Sequence, residues 1–175
     1  MPRAIYPGTF DPVHNGHIDI ATRAAGLFEH FTVAIYARPL KSLLFSTEER
    51  RAMIEQALAH VPNLSVATYN ELTVDFARRV GAQAIVRGLR VISDFELEFQ
   101  MALTNKKLAP EIEFVCLMTS QEYAFLSAST VKEIAMLGGC VDGMVPAHVA
   151  RVLQARFRAP GGEAMDSVKL VSLRD

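Results

Sequence analysis

The stretch RAIYPGTFDPVHNGHIDI, residues 3–20, sets a short apolar run against a loop rich in Gly and Pro and then against a helical pattern. This order predicts a strand, a loop and a helix, the unit from which parallel sheets with crossover helices are built. The strand is expected over residues 3–7, with GTFDPVHN as the loop and a helix from about Asn15 whose apolar face carries Ile18, Ala21, Leu27 and Phe28. Asn15 suits the helix cap, which puts His17 in the first turn among unpaired backbone N–H groups at the positive end of the helix dipole. Such a turn at the carboxyl end of a parallel strand is a ready anion site. Gly8 and Gly16 lack a β-carbon and so leave the backbone open to a phosphate, while Thr9 and His17 add donors. A Gly/Pro-rich turn carrying surface histidines fits the same letters, and the segment alone leaves both readings open. A metal held by His14 and His17 has only Asp11 as a third ligand nearby and no Cys/His pair elsewhere. No nucleophile motif such as GxSxG accompanies the histidines.

Working outward, TVAIYA (32–37), LSVATY (64–69), QAIVR (83–87) and EFVCLM (113–118) repeat the apolar run, and helical patterns separate them. Runs rich in Val and Ile without alternation suggest strands covered on both faces. Ser46 with Glu49, Ser93 with Glu96 and Thr130 with Glu133 each have the spacing of a capping box. Gly81, Gly138 and Gly139 suit helix C-termini where a positive φ is wanted.

A chain of 175 residues is most simply one domain, able to bury about 70 % of its unfolded surface. Eighteen Lys and Arg against nineteen Asp and Glu give a net charge of −1, so no general basic field favours nucleic acid, and any anion site must be local. The two cysteines are isolated, Cys116 reads as a core residue, and the pattern favours reduced thiols. No segment offers the apolar length of a membrane span, and the N-terminus lacks a basic start followed by an apolar stretch. A cytoplasmic protein with no nucleic-acid or membrane partner is expected. The tail APGGEAMDSVKLVSLRD follows a Pro-Gly-Gly break and reads equally as an added strand, a packing arm or a disordered end.

HNGH within GTFDPVHNGH has the H-x-G-H form of the T/H-x-G-H signature of nucleotidylyltransferases. RPLKSLLFSTEER (38–50), VRGLRVISDFELEFQMA (86–102) and FLSASTVKE (125–133) follow in order. Together they resemble the bacterial phosphopantetheine adenylyltransferases, which join ATP and 4'-phosphopantetheine to give dephospho-coenzyme A and pyrophosphate in coenzyme A synthesis. The resemblance implies an α/β fold: a Rossmann-like, open, parallel five-stranded sheet with helices on both faces. It spans a nucleotidylyltransferase domain of residues 1–157 and leaves 158–175 as a C-terminal extension.

By the same resemblance His17 stabilises the transition state, with Thr9, Lys41 and Arg87 as its catalytic partners. Thr9, Lys41, Thr73 and Arg87 would hold phosphopantetheine. Thr9, Phe10, His17, Gly88, Leu89, Arg90, Glu98 and the run Tyr123, Ala124, Phe125, Leu126, Ser127, Ala128 and Ser129 would hold ATP. Read without the resemblance, Arg87 and Arg90 suit surface ion pairs with Asp94 and Glu96, Lys41 suits a solvated loop, and Glu98 suits a solvated helix face. His14 has no duty in the scheme and is a neighbour of the phosphate site. Mg²⁺ is expected to arrive with ATP rather than in a carboxylate cage, and no metal ligands are assigned to the chain. A homohexamer and coenzyme A as a feedback ligand are further implications.

Leu97, Ser42 and Ala128 depart from residues common among relatives and bear on adenine and pantetheine packing more than on the reaction. The rival readings are another nucleotidylyltransferase, such as one acting on nicotinamide mononucleotide, and an ATP-binding module without catalysis. The blocks at 86–102 and 125–133 argue against the first, and Lys41 beside HNGH argues against the second.

Overall fold

In the computed structural model, which describes residues 2–39 and 42–158, strands and helices alternate from β1 (Arg3–Gly8) onward. They continue as α1 (Asn15–Ala25), β2 (His30–Tyr36), α2 (Thr47–Ala57), β3 (Leu64–Tyr69), α3 (Thr73–Arg79) and β4 (Ala84–Leu89). The order closes with α4 (Ile92–Leu108), β5 (Glu113–Met118), α5 (Ala128–Met136) and α6 (Ala147–Arg158). The expected C-terminal extension lies, apart from Arg158, outside the described residues, as does Lys41.

All strand pairings are parallel, in the order β3-β2-β1-β4-β5. The first three strands step one way across the sheet; the chain then returns to lay β4 on the free side of β1. Ligands of open α/β sheets bind in the crevice where strand order reverses, at the carboxyl ends. Here that crevice lies between β1 and β4. Their pairing covers only Ala4↔Ala84 and Ile5↔Ile85, so the backbone ladder between them ends at Ile5.

Side chains alternate across the sheet as extended backbone requires. Ala4, Tyr6, Phe31, Val33 and Val86 face a core shared with Ile20 of α1, Ile54 of α2, Val131 of α5 and Leu153 of α6. Ile5, Ala34 and Ile85 face the other way, against Val74, Phe76 and Ala77 of α3. Helices therefore cover both faces, as expected.

Several local expectations need correction. β4 runs on to Leu89 because Gly88 and Leu89 pair with Leu117 and Met118 of β5, so the RGLR turn begins one strand pair later than its glycine suggests. β2 spans 30–36 rather than 32–37 because pairing with β1 begins at His30. α1 stops at Ala25, which leaves Leu27 beyond the helix and 61 % exposed. Cys116 is exposed rather than in the core, since β5 is an edge strand. Along α4 only Glu98 is buried, while Ile92, Phe95, Phe99 and Leu103 stand more than half exposed.

Of the three capping boxes, Ser46 and Glu49 form as expected, with both reciprocal bonds. At α4 the cap is Val91 and Ser93 lies inside the helix; the carboxylate that reaches back is Asp94, which accepts from the Arg90 N–H at 3.1 Å. At α5 the cap is Ser127, whose Oγ accepts from Thr130 N–H at 3.1 Å, so Thr130 is served by the cap instead of providing it. Gly138 has φ +79° and ends α5 in a Schellman turn, its N–H donating to Ala135 O and that of Gly139 to Ile134 O. Gly139 itself does not adopt positive φ; a β-carbon there would lie 2.7 Å from Ile134 Cγ2.

Phe31 is fully buried in the middle of the helix-rich core. Phe31→Ala is expected to cost about 3–5 kcal/mol, the sum of lost transfer energy and a cavity that the rigid sheet cannot close. Urea unfolding with an unchanged m-value is the check, and a loss under 1 kcal/mol or so would place Phe31 outside a close-packed core.

Candidate active site

At the crevice, β1 gives way to the loop that holds Thr9, Phe10 and Asp11. Phe10 takes a left-handed backbone, φ 53°, which is costly for an aromatic residue and is maintained by burial of its ring. The ring lies in the space a side chain at Gly8 would need: a β-carbon there would come within 2.8 Å of Phe10 Cζ. At Gly16 the corresponding space belongs to the His14 ring, 3.1 Å away at Cε1. The two glycines thus seat aromatic rings, and both also line the crevice.

His14, not Asn15, caps α1. Its Nδ1 accepts from the His17 N–H at 3.3 Å, and the His17 Nδ1 accepts from the His14 N–H at 3.2 Å. This is a capping box made of two imidazoles, with rings stacked at 3.6 Å. Asn15 instead ties the helix start to a distant turn, its backbone N–H donating to Met144 O and its Nδ2 to Gly143 O. Two of the first-turn N–H groups expected to be open are therefore already bonded, and His14 is the residue that orients His17.

The reciprocal bonds fix both tautomers. With each Nδ1 accepting, each neutral ring carries its hydrogen on Nε2, so His17 lines the crevice as an Nε2–H donor. Neutrality follows from the surroundings. Burial first, then His14, Arg87 and Arg90, hold His17 well below the usual histidine pKa. Burial and then Arg90 push His14 down to about 4.

Arg87, near the end of β4, spans the crevice. Its Nη1 donates to the Pro7 carbonyl of β1 at 2.5 Å, while Nε and Nη2 grip Glu98 at 2.6–2.9 Å. Burial works against its charge, yet the Glu98 hydrogen bonds hold its pKa above the ordinary arginine value. Glu98 is buried by this grip instead of lying on a solvated face, and both of its oxygens accept from Arg87. Arg90 pairs with Asp94 and donates through Nη1 to the Leu126 carbonyl. Burial would raise the Asp94 pKa, but the hydrogen bonds from Arg90 outweigh it and lower it.

One crevice of about 430 Å³ gathers Thr9, Phe10, His17, Arg87, Gly88, Arg90, Glu98, Ser127, Ala128 and Ser129 from the expected set. Leu97, one of the departures, lines it too. Leu89, Thr73, Tyr123, Ala124, Phe125 and Leu126 are not among its lining residues. The Leu126 side chain is fully buried in the core, the Phe125 ring is 62 % exposed, and the Thr73 hydroxyl bonds the Tyr69 hydroxyl beside β3. Tyr123 stands close to Gly16.

Sequence reasoning passed over Tyr6, Thr119 and Lys132, considered Asp11 only as a metal ligand and considered Asp94 only as a surface ion-pair partner of the arginines; all five line the crevice. Burial drives the Tyr6 hydroxyl up to about 12. The one available signal was position, since Asp11 and Lys132 stand inside the quoted blocks GTFDP and STVKE.

A sequence profile described as cytidylyltransferase-like matches residues 5–134. A phosphopantetheine adenylyltransferase of Thermomicrobium roseum is 56% identical over 159 residues, 89% of this chain and 95% of that protein. Those of Carboxydothermus hydrogenoformans and Desulforudis audaxviator are 51% and 52% identical over 161 residues, 92% of this chain and 99% of each relative. The chain belongs to the cytidylyltransferase-like family and, within it, to the phosphopantetheine adenylyltransferases.

The depressed histidines make stability depend on pH with a definite sign. Below about pH 6.5 the unfolded chain takes up a proton at His14 that the folded chain refuses until about pH 4, so stability falls as pH falls through that window. The slope from one such group is at most about 1.4 kcal/mol per pH unit. His14→Asn keeps a capping oxygen and removes the titration. Tm measured from pH 7 to pH 4 should therefore drop less steeply in this variant than in the parent; equal slopes would mean that His14 does not stay neutral.

Proposed function

We propose that the protein transfers AMP from ATP to 4'-phosphopantetheine, giving dephospho-coenzyme A and pyrophosphate, by direct in-line attack without a covalent enzyme intermediate. A phosphate oxygen of the acceptor forms a bond to the α-phosphorus, the bond to the bridging oxygen breaks, and pyrophosphate leaves with its electron pair. The attacking group is already an anion, so no general base is required, and catalysis consists of positioning and charge stabilisation.

The observation that carries the reading is the fixed Nε2–H tautomer of a neutral His17 at the crevice. A neutral donor stabilises charge growing on the α-phosphoryl oxygens without a proton exchange of its own. Thr9 adds a hydroxyl beside it. Arg87 and Arg90 bring guanidinium groups held by carboxylates, and Ser127 and Ser129 at the start of α5 suit the β- and γ-phosphates. Lys41, Thr73 and the remaining residues of 123–129 keep the roles implied by the family: Lys41 and Thr73 for the acceptor, the others for ATP.

The charge balance of the crevice supports a role for Mg²⁺. Asp11, Asp94 and Glu98 are matched by Lys132, Arg90 and Arg87, so the lining residues have no net excess with which to meet two anionic substrates. Because all three carboxylates are engaged by cations, the donor set suits an ion carried by ATP oxygens rather than one held by the chain. When bound, that ion neutralises the departing pyrophosphate. Coenzyme A contains the skeleton of the product and fits the same site as a feedback ligand. A cytoplasmic setting agrees with such substrates, and no helix among the described residues is long and apolar enough to cross a membrane. Residues 1–157 form the nucleotidylyltransferase domain of this proposal and the remainder an extension to it.

The apolar residues that α4 leaves exposed support association with further copies, and the number six follows from the family. Phe99→Asp is expected to shift the mass in light scattering toward the monomer; an unchanged mass would place the interface elsewhere.

Incubation with ATP, Mg²⁺ and 4'-phosphopantetheine should yield equal amounts of pyrophosphate and dephospho-coenzyme A. Turnover of nicotinamide mononucleotide instead would overturn the assignment. His17→Ala should lower kcat by about 10²-fold or more, as for loss of one preorganised oxyanion donor. A kcat within a few-fold of the parent would remove His17 from the transition state.

A further inference from the structure

Asp11 is almost wholly buried, yet three donors from two separate parts of the chain converge on it. Its Oδ1 accepts from Phe45 N–H at 2.9 Å, and its Oδ2 accepts from Leu44 N–H at 3.0 Å and from Lys132 Nζ at 2.9 Å. Lys132 lies on α5 one turn beyond the Ser127–Ser129 start of that helix, and its side chain is 16 % exposed. Asp11 itself follows Thr9 and Phe10 in the loop after β1. One carboxylate therefore links the loop that carries Thr9 to the helix that carries the serine turn.

A second buried charge holds the other side of the same loop. Arg50 of α2 is 1 % exposed, and its Nη1 donates to the Thr9 carbonyl at 2.7 Å and to the Tyr36 carbonyl at 3.1 Å. An acceptor at position 11 satisfies the Leu44 and Phe45 N–H groups, but that need does not by itself call for an ion pair with Lys132. Burying an ion pair costs desolvation that a well-packed apolar pair avoids, and its attested use is to fix one geometry among several. The groups fixed here are the ones that face the two substrates.

We propose that Asp11 is a positioning residue that acts through Lys132 and through the loop backbone. It holds the α5 serine turn and the Thr9–Phe10 turn at the spacing needed for the triphosphate and the acceptor phosphate to meet. This rests on the adenylyl-transfer reading given above. It distributes consequences unequally. Loss of Lys132 frees α5 from the loop while Asp11 keeps its two backbone donors, so the ATP side alone suffers. Loss of the Asp11 charge releases both sides and leaves the Lys132 ammonium buried without a partner.

The test is steady-state kinetics of the full chain as Lys132→Met, Asp11→Asn and the double variant, with ATP dissociation constants from calorimetry measured alongside. For Lys132→Met the KM and Kd for ATP should rise about tenfold, with the KM for 4'-phosphopantetheine within about twofold of the parent. For Asp11→Asn both KM values should rise, and adding Lys132→Met should worsen the ATP constants by less than twofold, because the pair acts as a unit. If Asp11→Asn fails to fold, the Lys132→Met split decides alone. Variants that melt at lower temperature but keep both KM values and the ATP Kd would reduce the pair to a structural one and overturn the proposal. So would equal rises in both KM values for Lys132→Met. The ATP Kd also separates this inference from the reaction assigned to the site. A parent that makes no dephospho-coenzyme A sinks that assignment, whereas an ATP affinity untouched by Lys132→Met sinks only the positioning role.

Discussion

The hydrogen bond from Arg87 to the Pro7 carbonyl spans the opening on which the rest of the site depends. β1 and β4 pair at only two positions, and Pro7 has no N–H to extend a ladder. Past Ile5 the strands give way to a crevice, and the guanidinium crosses it, anchored on its far side by Glu98 of α4. A single side chain thus sets the width of the crevice and presents a cation to it. α4, which buries only Glu98, is tied to β4 through that contact.

Around the crevice the charges come as pairs: Arg87 with Glu98, Arg90 with Asp94, Lys132 with Asp11. A site for two highly charged anions could have been built from unopposed cations, but buried and mutually repelling they would cost the fold its stability. Pairing keeps each cation charged and fixed in direction. His17 completes the arrangement in a different way, as a neutral donor whose hydrogen is fixed by the backbone of His14. The two histidines divide the labour: one ring caps and orients, the other lines the crevice.

Much of the fold was legible because parallel strands buried between helices have few alternatives to Val- and Ile-rich runs: β3 and β5 have the expected bounds, and the other three are shifted by a residue or two at their ends. The local readings that failed share a cause. Asn15 was the better cap by propensity, but His14 won because its ring could also stack on His17 and fill the space left open by Gly16. Ser93 and Thr130 had the right spacing for caps, yet Val91 and Ser127 hold those positions, with Asp94 reaching back to the Arg90 N–H and Ser127 accepting from the Thr130 N–H. Cys116 looked like a core residue because a sequence cannot say which strand lies at the sheet edge.

The sequence by itself determined the strand–loop–helix alternation and, through GTFDPVHNGH, RGLR and the serine turn, most of the groups that line the crevice. It could do so because such groups follow directly after strands, where the carboxyl ends of a parallel sheet always bring loops together. Only the tertiary structure decided what those groups touch: that Glu98 serves Arg87, that Phe10 fills the space beside Gly8, and that Asp11 joins Lys132. Those choices depend on contacts between residues from two to more than a hundred positions apart, and burial, which sets their strength and the charge state of the histidines, exists only once the layers have closed.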